Sequence, residues 1–394
     1  MPEFEPMCHM RLLAGARFAI LRALEFPEML KALDIWLPAW WRRHHLHEHI
    51  LGVRHVMIAV CDHFEPFHDA EKSEALARVA TWRREFGQLA SEFRDGDGQP
   101  PKHTFFYPIE QYDADVVGAL AELCRATGSE TEVHLHHHGD TAENLRRTLA
   151  EGVERLAGHG QLSRDKSGAL RYGFVHGNWA LDHSHPEGRH CGVRNELRVL
   201  RETGCYADFT LPSAPHRTQT RIINSLYYAR GTDAPKSHDH GRRVAAGRDF
   251  QPAQEDELLL VQGPLGLNWQ RRKFGLLPRI ENSDLTAANP PTPERLQLWL
   301  DCRISVVGRP NWLFVKLHTH GAVPANTRML LGEPMRAFHR ALGEIAAADP
   351  SLRLHYVTAR EMVNILHAAE DGHSGEPGIF RDHCYRKNGA ADSA

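Results

Sequence analysis

From Arg54 onward the chain alternates short apolar runs with longer stretches in which apolar residues recur every three or four positions. HVMIAVCDHFEPF begins as a continuous apolar run and ends at Asp62 and His63, as a parallel strand buried on both faces does. EKSEALARVATWRREFGQLASEF follows with helical spacing, then HTFFYP as a second strand and ADVVGALAELCRATG as a second helix. The third strand lies in TEVHLHHHGDT, where Val133 and Leu135 alternate with Glu132, His134 and His136 before Thr141 caps the helical run AENLRRTLAEGVERL. YGFVHGNWAL, CYADFTLP, LLLVQGP, WLFVKLHTHG and LRLHYVT continue the strands; NELRVLRETG, TPERLQLWLDCR, RMLLGEPMRAFHRALGEIAA and AREMVNILHAA supply the helices. Residues 213–256 show little periodicity and read as a long irregular section.

Seven or eight strand–helix repeats without a compositional linker predict one α/β domain. The expected form is a distorted (β/α) barrel over residues 51–370, with an N-terminal helical extension over 1–50 and a loose polar tail over 371–394. The extension is apolar enough to leave peripheral contact with a membrane surface open, but Glu25, Glu28 and Asp34 suit helices packed on the outside of the barrel. No uncharged apolar run reaches the roughly 18 residues that a transmembrane helix needs.

Composition changes this picture at two points. A net charge of −3 with 42% hydrophobic residues gives no basic surface for nucleic acid or anionic lipid. Seven cysteines, scattered singly and with no CxxC pair, read as reduced thiols of a cytoplasmic protein. The departure from ordinary usage is 28 histidines.

Many of them fall where strands end. His134, His136, His137 and His138 with Asp140 crowd the end of the third strand, and neutral imidazole is the commonest metal ligand. Asp62-His63-x-Glu65, His176-x-Asn178, Asp208 and His318-x-His320 end other strands. Parallel strands bring such ends to one face. Each alone is explained by a hydrogen-bonded rim residue or a turn cap; their recurrence is not, because core packing has no reason to choose imidazole repeatedly.

The order of these motifs, from about His55 to Ala368, resembles the polysaccharide deacetylases of carbohydrate esterase family four. There a first strand ends in an acidic pair, here Asp62-His63; a TFF strand follows, here HTFFYP; a strand then ends in an HxxxH metal motif, here His134 to His138. A late Leu-His is matched by Leu317-His318, and HYVTAREMVNIL looks like the closing element. The resemblance implies Asp62 as general base, His318 as general acid, and metal ligands among His63, His134, His136 and His138. Alignment on the strand's Glu-Val start makes His136 the first ligand and Asp140 the second, so the register within 134–140 stays open. His63 replaces the family's second acid, which favours one divalent transition ion, zinc, over magnesium or calcium. The family's Arg-x-Pro-Tyr-Gly segment is replaced by FVHGNWALD, which leaves His176 and Asn178 as substitutes.

The sequence therefore predicts a metal-dependent hydrolase that deacetylates an N-acetylated sugar or polysaccharide. His176, Asn178, Trp179 and Glu281 are the candidate carbohydrate contacts, and His320 and Glu65 are candidates to orient the metal ligands. A metal- or carbohydrate-binding protein that lost catalysis is the alternative. A glycosidase needs two carboxylates flanking one bond, for which Asp62 with Glu65 or Asp208 is a loose match.

Overall fold

The computed structural model describes residues 32–44, 52–249 and 251–388. Its main sheet is built on β1 (Arg54–His63), β2 (Thr104–Pro108), β3 (Glu130–Leu135), β4 (Leu170–His176), β5 (Cys205–Asp208), β6 (Leu226–Arg230), β7 (Glu257–Val261), β8 (Trp312–Thr319) and β9 (Leu352–Tyr356). The hydrogen-bonded path runs β8-β1-β2-β3-β4-β5-β7-β6, with β9 also on β1. Every pair in it is parallel except β6 with β7. Short strands at Asp284–Leu285 and Gly241–Arg243 extend the two ends; beyond the second, Ala245 bridges Val307 in parallel, and Phe314 N on β8 donates to Ile304 O at 2.8 Å. The chain is thus a mixed α/β fold on a mostly parallel sheet.

Both faces of that sheet are covered. Side chains alternate across a strand, and on β1 Val56, Ile58 and Val60 pack with Val79, Trp82, Val117, Leu120 and Leu145. Helix α1 (Leu33–His44) precedes the sheet, and those partners come from α2 (Lys72–Glu92), α3 (Ala114–Thr127) and α4 (Ala142–Gly158). Met57, Ala59 and Cys61 face the other way, onto Met362, Val363 and Leu366 of the last helix, α5 (Ala359–Glu370). That helix is buried along almost its whole length.

Helix starts follow the sequence. Asp113 accepts from the backbone N–H groups of Asp115 and Val116 at 3.0 and 3.2 Å, and Gly128 ends α3 at φ 70°, a conformation that costs glycine nothing. Thr358 and Glu361 form a reciprocal capping box on the last helix.

Two expectations change. Residues 213–256 are not all irregular, since Leu226–Arg230 and Gly241–Arg243 pair antiparallel at the sheet's end. The tail is not loose through residue 388: Tyr385–Lys387 pairs with Ser163–Asp165, and Arg381 donates to Tyr356 O at 2.6 Å and to Asp97 at 3.0 Å. Of the N-terminal extension, residues 1–31 and 45–50 lie outside the described residues. Its described helix, Leu33–His44, buries Trp36 with Ala214, Ile223 and Leu265. Among the described residues no helix is long and apolar enough to cross a membrane.

One packed histidine gives the fold a pH dependence. His339, buried on the helix Glu333–Ala348, bonds Tyr356 Oη through Nδ1 at 2.9 Å, and burial holds its pKa down to about 3. It is neutral when folded but takes a proton near its ordinary 6.5 when unfolded. The unfolded chain therefore binds more protons between those values, and stability falls as pH drops below about 6.5, by up to ~1.4 kcal/mol per pH unit. His339→Gln should show a shallower loss of stability than the parent between about pH 7 and pH 5 in urea titrations. Equal slopes would exclude His339 as a source.

Candidate metal centre

The pleat sorts the histidines before any chemistry does. His63 shares the face of Cys61 and Ala59, and His134 and His318 stand on that same side of β3 and β8, opposite Val133, Leu135 and Leu317. Register sets their heights: Cys61 lies beside His318, His63 beside Phe106, and Pro108 beside His134. The rings converge. His63 is 5.0 Å from His134, 4.7 Å from His320 and 6.3 Å from His318, centroid to centroid.

Glu65, just past β1, completes the group. Its Oε1 lies 3.3 Å from His134 Nε2 and 3.7 Å from His136 Nε2. His63, Glu65 and His134 each direct one ligand atom to a common point, all within 4.8 Å of one another. His134 Nδ1 donates to Val175 O at 3.0 Å, which fixes its tautomer and leaves Nε2 bare; that buried Nε2 has no hydrogen-bond partner. An orphaned, fully buried nitrogen beside a carboxylate suits a ligand to a cation.

Electrostatics agrees. Burial, reinforced by His320, His134 and His318, drives the His63 pKa well below its ordinary value, so the ring is neutral and able to coordinate. Burial pushes the Glu65 carboxyl up, but the closeness of the His134, His136 and His320 rings outweighs it and holds the group below its ordinary value. His318 is likewise driven well below by burial and by Lys316, and its Nδ1 is buried without a partner.

Other expected residues fall elsewhere. His136 borders the group, 4.5 Å from the His134 ring, with Nδ1 on Glu110 at 2.7 Å. His138 is exposed and accepts from His190 N at 2.9 Å, so it does not join. Asp140 turns to His137 and accepts from Thr141 N and Asn144 Nδ2 at the start of the following helix. Asp62 sits on the opposite, helix-facing side of β1. Its two oxygens are engaged, one by His103 Nε2 at 2.8 Å and the other by Gly321 N at 2.6 Å. A Cβ at residue 321 would stand 2.0 Å from Asp62 Oδ2, so glycine is what allows this approach. Asp62 thus pins the turn after His320 to β1 and does not face the ring cluster. Asp208 is buried beside Thr210, away from the converging rings, and burial pushes its pKa up to about 7.

Of the four carbohydrate contacts, Trp179 alone is brought near, its ring 6.3 Å from His320. Asn178 is exposed with φ 55°, and His176 is fully buried on the helix-facing side of β4. Glu281 is buried and spoken for: Arg295 clamps it at 2.7 and 2.8 Å, Trp299 Nε1 donates at 3.0 Å and Ser283 N at 3.0 Å. Sequence reasoning missed a second buried group, His137, His176, Cys191 and Glu196. Its members are far apart in the chain, and a lone Cys and a helix-start Glu give no spacing signal.

No family model matches the chain, and no curated protein matches it. Among solved structures it is similar to an alpha-mannosidase from Enterococcus faecalis, with TM-score 0.43 and 9% identity over 80% of this chain and 29% of that one. The chain spans under a third of that protein, and the likeness is too slight to fix a fold or an activity.

The Glu281–Arg295 pair makes a testable structural claim. Arg295→Leu leaves a buried carboxylate without its cation and should cost about 3–5 kcal/mol in denaturant unfolding. Glu281→Leu/Arg295→Leu should recover part of that loss; a double variant no more stable than Arg295→Leu would show that the pair is not the cause.

Proposed function

We propose that this chain is a metal-dependent hydrolase that removes an acetyl group from an N-acetylated sugar or polysaccharide, with one divalent transition ion, zinc, held by His63, Glu65 and His134. The observation that carries the proposal is the buried, unpartnered Nε2 of His134 beside Glu65 and His63 at the carboxyl ends of β1 and β3. Two imidazoles and a carboxylate form the donor set of open zinc sites. When bound there, the ion supplies Lewis acidity toward an amide carbonyl and a water.

The protein's own part is positioning and proton movement. His318, kept neutral by burial and by Lys316, can accept a proton at its free Nδ1 and return it to a departing amine. This gives His318 both transfers, because the two oxygens of Asp62 are taken. Asp62 then acts as a positioning residue, tying His320-Gly321 to the end of β1. Trp179 supplies an aromatic wall against which a sugar ring can stack. The engagement of Asp62 also favours one second reading, a metal- and sugar-binding protein without turnover.

Acetate release from a panel of N-acetylated saccharides separates the two readings. Chelator treatment should abolish turnover and zinc should restore it; His134→Ala and Glu65→Gln should lower metal affinity. His318→Ala should retain the ion and lose roughly 10²–10⁴ in turnover of amide substrates. Acetate release that survives complete removal of metal would overturn the hydrolase mechanism, and saccharide binding with no acetate release from any member of the panel would favour the second reading.

A further inference from the structure

We infer that His137, His176, Cys191 and Glu196 form a second metal site, structural in kind, that takes one zinc ion. Their ligand atoms lie within 4.8 Å of one another, and the side chains are almost entirely removed from solvent. His137 Nε2 and His176 Nε2 stand 2.9 and 3.5 Å from Glu196 Oε1, and Cys191 Sγ stands 3.5 Å from Glu196 Oε2. The two rings are 4.7 Å apart, centroid to centroid.

Each ligand is oriented by a further partner. His137 Nδ1 is held by Asp140 Oδ2 at 3.1 Å, and His176 Nδ1 by the carbonyl of Gly177. Both rings therefore turn Nε2 inward, as metal-bound histidines do when an acceptor takes the other nitrogen. Asp182 N donates to Glu196 Oε2 at 2.5 Å, and Val193 N donates to Cys191 Sγ at 3.3 Å.

The group is unfinished as a hydrogen-bond network. His176 Nε2 is fully buried with no partner at all, although it points at a carboxylate and a thiol. A cation at the common point satisfies this nitrogen and engages the other three ligand atoms together. Thiolate with two imidazoles and one carboxylate selects zinc over magnesium or calcium. Four protein ligands and no open position mark a structural ion, unlike the three-ligand group at His63.

The site also has something to hold. Between His176 and Glu196 the chain has hardly any regular structure, and Asn178, Trp179, Asp182, His183 and His190 all take left-handed backbone angles, φ 53–63°. Residues other than glycine rarely adopt that region. An ion shared by β4, the loop after β3 and the segment 191–196 would lock this loop, and with it Trp179.

The two metal groups can be tested apart because only this one contains sulfur. Full-length protein purified without a His tag and loaded with cobalt(II) should show a thiolate-to-cobalt charge-transfer band. That band should persist in Glu65→Gln and vanish in Cys191→Ser. By elemental analysis, Cys191→Ser and His176→Ala should each lose one equivalent of zinc and melt at lower temperature, and Asp140→Asn should weaken zinc binding about 10–100-fold. Should Cys191→Ser fail to fold, X-ray absorption of zinc-loaded Glu65→Gln decides, with one sulfur expected at about 2.3 Å. No charge-transfer band, no zinc–sulfur distance, or unchanged zinc content in a folded Cys191→Ser would each overturn the site. A sulfur-free first group that binds no metal leaves the band in place, so failure of the hydrolase reading is distinguishable.

Discussion

Burial of the sheet on both faces is the constraint from which the rest follows. A strand with one face in water can place polar groups there at no cost, but here each residue of β1 from His55 onward lies against other protein. Polar side chains at the carboxyl ends must therefore be matched to a partner or to a ligand. Two-residue alternation then decides which histidines meet: His63, His134 and His318 on the face shared with the last helix, and Asp62 and His176 on the face shared with the other helices. Residues adjacent on the strand, such as Asp62 and His63, are sent to opposite faces by this rule alone. His136 and His137 lie past the end of β3, and the loop there carries them to different groups.

Much of the architecture was legible because it rests on local periodicity. The apolar runs gave each of the main parallel strands, and Asp113, Thr141 and Thr358 marked helix starts that the structure caps in that way. The place of the last helix was not legible, because AREMVNILHAA reads as a helix whether it lies outside the sheet or against its second face. Its near-total burial is a tertiary fact, visible in sequence only as the absence of a charged stripe wide enough to face water.

The site was legible in part for the same reason. His63, His134 and His318 follow from strand ends, which periodicity locates, whereas His138, Asn178 and Glu281 were placed by neighbourhood in the chain. Neighbourhood fails past a strand end, because the backbone there no longer fixes the direction of a side chain. Glu281 is the clearest case: a carboxylate in a polar loop reads as available, yet Arg295, Trp299 and Ser283 N consume its acceptor capacity. No local pattern announces that Arg295, on a helix start, will reach back to it.

Comparison of the two ends of the sheet sharpens the functional argument. Near the amino ends of β2 and β3, where the chain leaves β9 for the last helix, buried charges are paired with one another. Arg360 forks onto Glu130 at 2.7 and 3.1 Å while Thr358 Oγ1 takes Glu130 Oε2 at 2.8 Å, and Lys102 and Arg381 meet Glu361 at 2.6 and 3.0 Å. Such a closed network fixes packing and leaves nothing to react. At the carboxyl ends His134 Nε2, His176 Nε2 and His318 Nδ1 are buried and unmatched. Buried atoms without a partner occur elsewhere too, as at Trp312 Nε1 and Gln161 Oε1. What sets His134 and His176 apart is the carboxylate beside the bare nitrogen, Glu65 at 3.3 Å and Glu196 at 3.5 Å, a setting that suits a shared cation.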